Sequence, residues 1–251
     1  VMFVHHPRQA QLRAVLDDGE SLGALRRIQS HFSFLAGEGF SQKNIRANAQ
    51  LEPLGCLGDL GWYCVRFTLW ALNWQMPQRI TAQILSAFDN GVPAAFSAEL
   101  VFAGGVTAGF HCSFVSAYQA SIMVSGTKGF LRVPDFVHPF SSSRLAFETT
   151  AARGVNNGCD TSNEMTLRQF LHADDAHEPA QVMETWMFRN FADRILSGRI
   201  TEEWAEQALK TQQVVSACMD AALASVPELE PVSGELRTYF AGAADFLRNT
   251  D

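Results

Sequence analysis

Nowhere does this chain hold an uninterrupted apolar run of the roughly 18 residues that a membrane-spanning helix needs, and no membrane partner is expected. Positive charge is also scarce. The 19 Lys and Arg residues against 26 Asp and Glu leave a net charge of −7. With no basic stripe to neutralise phosphates, a nucleic-acid partner is excluded. No secretory leader is expected, because Val1-Met2-Phe3-Val4 runs directly into His5-His6-Pro7-Arg8. The five cysteines, at positions 56, 64, 112, 159 and 218, are odd in number and form no CxxC pair. They read as small buried hydrophobes in a reducing compartment, which makes the cytoplasm the expected location.

Several catalytic signatures are missing as well. The seven histidines (5, 6, 31, 111, 138, 172 and 177) show none of the recurring zinc spacings, so no metal is expected. No GxGxxG occurs, so the chain carries no dinucleotide fingerprint of its own. Ser125-Gly126-Thr127-Lys128-Gly129 is too short for a phosphate loop and lies between two strand-like runs, where it reads as a hairpin turn. Ser113 stands near His111 but lacks the glycines of a nucleophile elbow, which weakens a hydrolase reading.

What is present is a composition of 47% hydrophobic and 18% charged residues, enough for a sizeable core. Residues 1–4 read as a short buried strand, and Pro7 opens a helix that Asp17-Asp18-Gly19-Glu20 ends. Alternation from Leu25 to Phe34 predicts a strand, and 36–53 reads as a long loop. A helix is predicted over about 56–74. Strand-like runs follow at 79–88, 94–102, 107–116, 120–124, 130–133 and 145–149, with links so short that they predict an antiparallel meander. The segment 150–163 reads as a polar surface excursion. Helices are expected at 181–197 and 201–224, and one more short helix in the tail from Gly234.

The resulting expectation is an α+β fold, an open and mainly antiparallel sheet with helices packed on one face. The runs 94–102 and 107–116 read as apolar without clean alternation, which predicts that the second face is covered by another subunit or a further domain.

The most informative stretch is Gly55-Cys56-Leu57-Gly58-Asp59-Leu60-Gly61-Trp62-Tyr63. Glycine costs a helix roughly 1 kcal/mol relative to alanine. Three at the start of one helix therefore call for a close approach by another backbone or a flat ligand. Asp59 and Tyr63, four residues apart, share a helix face. An acid beside a phenol makes a proton-handling pair. The same spacing also fits a first-turn aspartate favoured by the helix dipole and a tyrosine packed in the core. His5 and His6, placed where a strand gives way to a helix, are further site candidates.

The run Asn44-Ile45-Arg46, followed by Gly55 through Arg66, resembles the substrate-domain signature of the glucose–fructose oxidoreductase/inositol dehydrogenase/rhizopine-catabolism (Gfo/Idh/MocA) family, approximately [W/I]R…GGGxLxDxGxY. Val124 to Val133 is similar to that family's GTKG hairpin, and Met2 to Arg8 to the last strand and exit helix of its nucleotide-binding domain. The resemblance runs collinearly through residues 1–224 and is strongest to dihydrodiol-dehydrogenase-like and plant-type members. It implies that residues 1–18 end a Rossmann domain whose remainder is absent, leaving a relic strand, and that 19–251 form the substrate and oligomerisation domain.

It further implies an NAD- or NADP-dependent oxidoreductase that moves hydride between the nicotinamide and a carbinol or carbonyl carbon of a sugar, polyol or diol. Asp59 and Tyr63 would be catalytic, and Arg46, Asn44 and Trp62 would hold substrate. His5, His6 and Arg8 would stand on the cofactor side. A small-molecule substrate and a homo-oligomer formed through the sheet face are the implied partners. By itself the chain is expected to be inactive, since the glycine-rich loop and the lysine of a Glu-Lys-Pro motif are not in it. The other reading is a non-catalytic oligomerisation or substrate-binding module.

Overall fold

Eight strands form one open sheet in the computed structural model, in the spatial order β2-β3-β4-β1-β5-β6-β7-β8. The structure describes residues 1–138, 145–171, 183–198 and 202–224. The strands are β1 (Leu25–Leu35), β2 (Arg79–Ala87), β3 (Pro93–Val101), β4 (Thr107–Ser113), β5 (Val115–Gly126), β6 (Gly129–Val133), β7 (Leu145–Asn157) and β8 (Asp160–Leu171). The helices are α1 (Arg8–Asp17), α2 (Phe40–Lys43), α3 (Trp62–Ala71), α4 (Met183–Leu196) and α5 (Glu203–Ala224). The expected tail helix falls outside the described residues.

The α+β expectation is met, with a correction to the meander. β2, β3 and β4 pair antiparallel in sequence, as do β5 through β8. Between β4 and β5, which only Phe114 separates, β1 is inserted, parallel to β4 and antiparallel to β5. The Ala36 N–H donates to the Phe114 carbonyl at 2.8 Å and pins that crossing to the end of β1. A parallel neighbour needs a long connection, and the segment between β1 and β2, which contains α3, supplies it.

Strand parity then sets the two faces. Ile28 and Phe32 of β1, Phe96 and Leu100 of β3, Ala108, Phe110 and Cys112 of β4, and Ile122 and Val124 of β5 are all buried. They form one core with Leu12 and Leu16 of α1, Phe67 and Leu69 of α3, and Val215 and Met219 of α5. Four of the five cysteines are buried and all five are free thiols.

Buried and half-buried residues alternate from Phe96 to Val101 and along most of β4, while Pro93–Phe96 are all buried. The opposite face of the central strands carries Arg27, Gln29, His31, Ser97, Glu99 and Gln119, with Arg27 paired to Glu99. The expectation of an apolar second face is corrected there. Its exposed apolar residues include Met123 of β5 and, toward the β8 edge, Met165 and Leu167.

Two further segments depart from the sequence reading. Residues 150–163 are not a surface excursion; they belong to the β7–β8 hairpin, which turns at Gly158, whose φ of +72° suits a two-residue turn. Exposure on both sides of the outer part of this ribbon leaves no hydrophobic alternation to read there. The expected strand at 1–4 is a 3-10 turn, Met2–His5. It is held by Phe3, which is buried against Phe136 and Tyr63 at centroid separations of 5.6 and 6.0 Å.

Candidate functional site

The glycine-rich start of the long helix is a π-helical turn, Leu57–Gly61, that runs into α3. The Trp62 N–H bonds the Leu57 carbonyl, five residues back. Such turns are uncommon and frequent at functional sites.

Each glycine has a reason inside the protein. Gly55 has φ +53° and lies against the Pro93 backbone. A side chain on Gly58 would enter the Glu52 carboxylate, and one on Gly61 would meet Leu57, Cys112 and Phe110. The close approach anticipated from sequence is therefore made by the protein's own chain.

On this turn Asp59 is half-buried, and its Oδ1 accepts from Arg46 Nε at 2.9 Å. Arg46 sits in a 3-10 turn, Ile45–Ala47, that Asn44 caps: the Asn44 Oδ1 accepts from the Arg46 N–H at 3.0 Å. Asn44 thus places Arg46. Burial raises the Asp59 pKa, and the Arg46 bond and charge act against that.

Tyr63 is half-buried, with its ring edge-on to Phe32 at 5.4 Å. Its hydroxyl donates to the Met2 sulfur at 3.8 Å, a weak acceptor that a substrate oxygen can replace. Burial first, then the charge of Asp59, raises the phenol pKa; Arg46 lowers it and Glu184 adds a further rise. The phenol is therefore a held proton at neutral pH. Asp59 and Tyr63 interact through charge, and the Asp59 hydrogen bond goes to Arg46.

The other anticipated residues are less concentrated. Trp62 turns its ring toward the Arg66 guanidinium at 5.8 Å. His5 lies in a neighbouring cavity, with Nδ1 at 3.1 Å from the Asn190 amide nitrogen and its ring edge-on to Trp204. His6 is buried, and its Nδ1 accepts from the Arg8 N–H at 3.1 Å. Arg8 is buried as well, with its guanidinium on the carbonyls of Asp135 and Phe136, and burial pulls its pKa down to about 9. His6 and Arg8 are thus occupied in fixing α1.

Glu52 escaped the sequence reading. Burial raises its pKa, and the charge of Asp59 adds to that. The irregular chain between 52 and 59 offers no periodicity that would have linked the two carboxylates.

β1 leads through Gly37 and Gly39 only into α2, which has four residues, too short to present a helix terminus to a pyrophosphate. The phosphates of a dinucleotide do not fit on this segment.

Residues 9–132 match the model of the GFO/IDH/MocA C-terminal domain. The chain is 35% identical to the trans-1,2-dihydrobenzene-1,2-diol dehydrogenase of Sus scrofa over 130 residues, 51% of this chain and 36% of that protein. It is 25% identical over 216 residues to the dTDP-3,4-didehydro-2,6-dideoxy-alpha-D-glucose 3-reductase of Actinomadura kijaniata, 86% of this chain and 58% of that one. The crystal structure of a 3-ketoreductase from Actinomadura kijaniata with NADP and TDP-benzene superposes with a TM-score of 0.68 at 24% identity, over 88% of this chain and 60% of that chain. The chain thus spans between about a third and three fifths of the length of these relatives.

Proposed function

The chain belongs to the GFO/IDH/MocA family through residues 9–132, and on that premise we propose that it forms the substrate-facing part of an NAD- or NADP-dependent oxidoreductase acting on a sugar, polyol or diol. The observation that carries the reading is the Tyr63 phenol. It is kept protonated beside the Asp59–Arg46 pair and bound to nothing stronger than a thioether.

A nicotinamide, when bound, supplies or takes the hydride. The residues of this chain manage the oxygen at the reacting carbon. A carbonyl oxygen that replaces the Met2 sulfur receives the Tyr63 O–H hydrogen bond. Proton transfer to that oxygen as it becomes a hydroxyl makes Tyr63 the general acid. The phenolate left behind is disfavoured by burial, Asp59 and Glu184 and favoured by Arg46. The same phenolate is the proton acceptor in alcohol oxidation, so a further cation near the phenol serves both directions.

In this reading Asp59 holds Arg46, Arg46 orients substrate oxygens, and Asn44 positions Arg46. Turnover requires a dinucleotide-binding domain to complete the site. We also assign self-association to the open sheet face, with Met165 and Leu167 at its β8 edge as the apolar contribution. The test is NAD(P)H oxidation with aldose, keto-sugar and cyclic diol-derived carbonyl substrates, in a protein completed by such a domain. Tyr63→Phe is expected to lower kcat about 100-fold with KM changed far less. An unchanged kcat would exclude Tyr63 as the acid.

A further inference from the structure

A second cavity, of about 610 Å³, opens beside α3 and shares no lining residue with the Asp59–Tyr63–Arg46 group. Three arginine–tryptophan pairs border it: Arg13 over Trp70 at 4.4 Å, Arg66 over Trp74 at 4.6 Å and Arg194 over Trp204 at 3.9 Å. Arg13 is well supplied with acceptors, bonding Asp17, Asn73 and the Trp70 carbonyl.

Arg66 is different. Only 5% of it is exposed, and its Nε and Nη1 are buried without a hydrogen-bond partner. Among the described residues its one acceptor is the neutral Gln207 Oε1, 2.7 Å from Nη2. The Gln207 amide nitrogen in turn donates to Glu203 at 2.9 Å. Among the described residues no carboxylate forms an ion pair with Arg66.

A buried guanidinium without an ion pair is costly; burial brings the pKa of Arg66 down to about 10, and the charge of Glu203, which lines the cavity together with Asp193, acts against that. The pKa of His5 is lowered by burial first, then by the charges of the Val1 ammonium, Arg66 and Arg194. Trp74 is held here with φ +63° just beyond the end of α3, a strained conformation for a bulky residue.

We infer that this cavity binds a small organic anion, with carboxylate or phosphate oxygens on the Arg66 guanidinium in place of Gln207 and a flat apolar body among the indole rings. A carboxylate or phosphate is the stronger acceptor for a guanidinium, because both partners are charged. Gln207 is half-buried on α5 and keeps its bond to Glu203 when it swings aside. The rings of Trp70, Trp74 and Trp204 suit a planar group, which separates a preferred organic anion from a bare one. The inference is independent of the oxidoreductase reading, since it needs neither a nicotinamide nor Tyr63.

The experiment is a titration of the chain with benzoate, acetate and inorganic phosphate at constant ionic strength. Binding is followed by tryptophan fluorescence and by the Arg66 Nε–H resonance. Saturable binding is expected, tightest for benzoate, with a shift of the Arg66 signal. Arg66→Gln should weaken it by about tenfold or more. Gln207→Ala, a change at a half-exposed site that leaves the fold intact, should tighten it because the competing acceptor is gone. Preference for phosphate over benzoate would retain the anion site and remove the flat body from the inference. Absence of saturation with all three anions, or equal affinity in wild type, Arg66→Gln and Gln207→Ala, would overturn it.

Discussion

The two ends of α3 are built from the same kinds of residue and differ in what folds onto them. Its entry, the π turn at Leu57–Gly61, puts Asp59 and Tyr63 on one side, and an arginine from a distant loop neutralises the acid. Its exit places Arg66, Trp70 and Trp74 around a cavity in which, among the described residues, the central arginine forms no ion pair. Helix spacing identifies neighbours along one helix, whereas the partner that decides a charge arrives from elsewhere in the chain.

The largest expected effect concerns the entry. Gly55→Ala combines a left-handed backbone with a collision against the Pro93 backbone. It should destabilise the fold by about 2–4 kcal/mol, read as a lower urea midpoint. Next is the functional counterpart: the loss in kcat for Tyr63→Phe should come with stability changed by about 0.5 kcal/mol or less, because the hydroxyl gives up only the Met2 sulfur. A large stability loss would make Tyr63 a packing residue and bring the two ends of the helix closer in kind.

The remaining glycines grade the same comparison. Gly61→Ala gains helix propensity and meets Leu57 at 2.8 Å and Cys112 at 3.3 Å, a net loss of about 1 kcal/mol. Gly58→Ala meets the end of a flexible side chain, Glu52, and should change stability less than Gly61→Ala in the same urea titration. A reversed order would mean that the turn is shaped by something other than these contacts.

The smallest effect is in the pH dependence. The Asp59 pKa is raised in the fold. Its favourable contribution is therefore complete below the ordinary carboxylate value of about 3.9 and is lost as pH rises through the raised value. Asp59→Asn should therefore be more stable than wild type at pH 7 by about 0.5–1 kcal/mol, with the difference shrinking toward pH 4. A destabilised variant at pH 7 would show that the bond to Arg46 outweighs burial.

Much of the fold was legible because most strands alternate and most links are short. The exceptions have physical causes. β1 joins the sheet between β4 and β5, a pairing set by a long connection that no local pattern reports. The outer part of the β7–β8 ribbon is exposed on both sides, at 151–154 and 162–169, so those stretches lack a hydrophobic period. Met2–His5 coil into a turn because Phe3 reaches an aromatic cluster rather than a neighbouring strand.

At the site, Asp59, Tyr63, Arg46 and Asn44 come together as the motif implied. Arg8 and His6 hold α1 in place, Arg8 through the carbonyls of Asp135 and Phe136 beyond β6 and His6 through the Arg8 N–H. Glu52 and the isolation of Arg66 depend on loop and α5 packing, which spacing along the chain does not encode.

The central claim is that Tyr63 is a phenol kept protonated by its surroundings, and its ionisation can be measured directly. Ring-labelled tyrosine spectra of the chain, recorded across alkaline pH with Tyr63→Phe used for assignment, give the pKa. The account predicts a value above the ordinary 10, lowered by Asp59→Asn and raised further by Arg46→Gln. A Tyr63 that ionises below 10, or whose pKa ignores both substitutions, would contradict it.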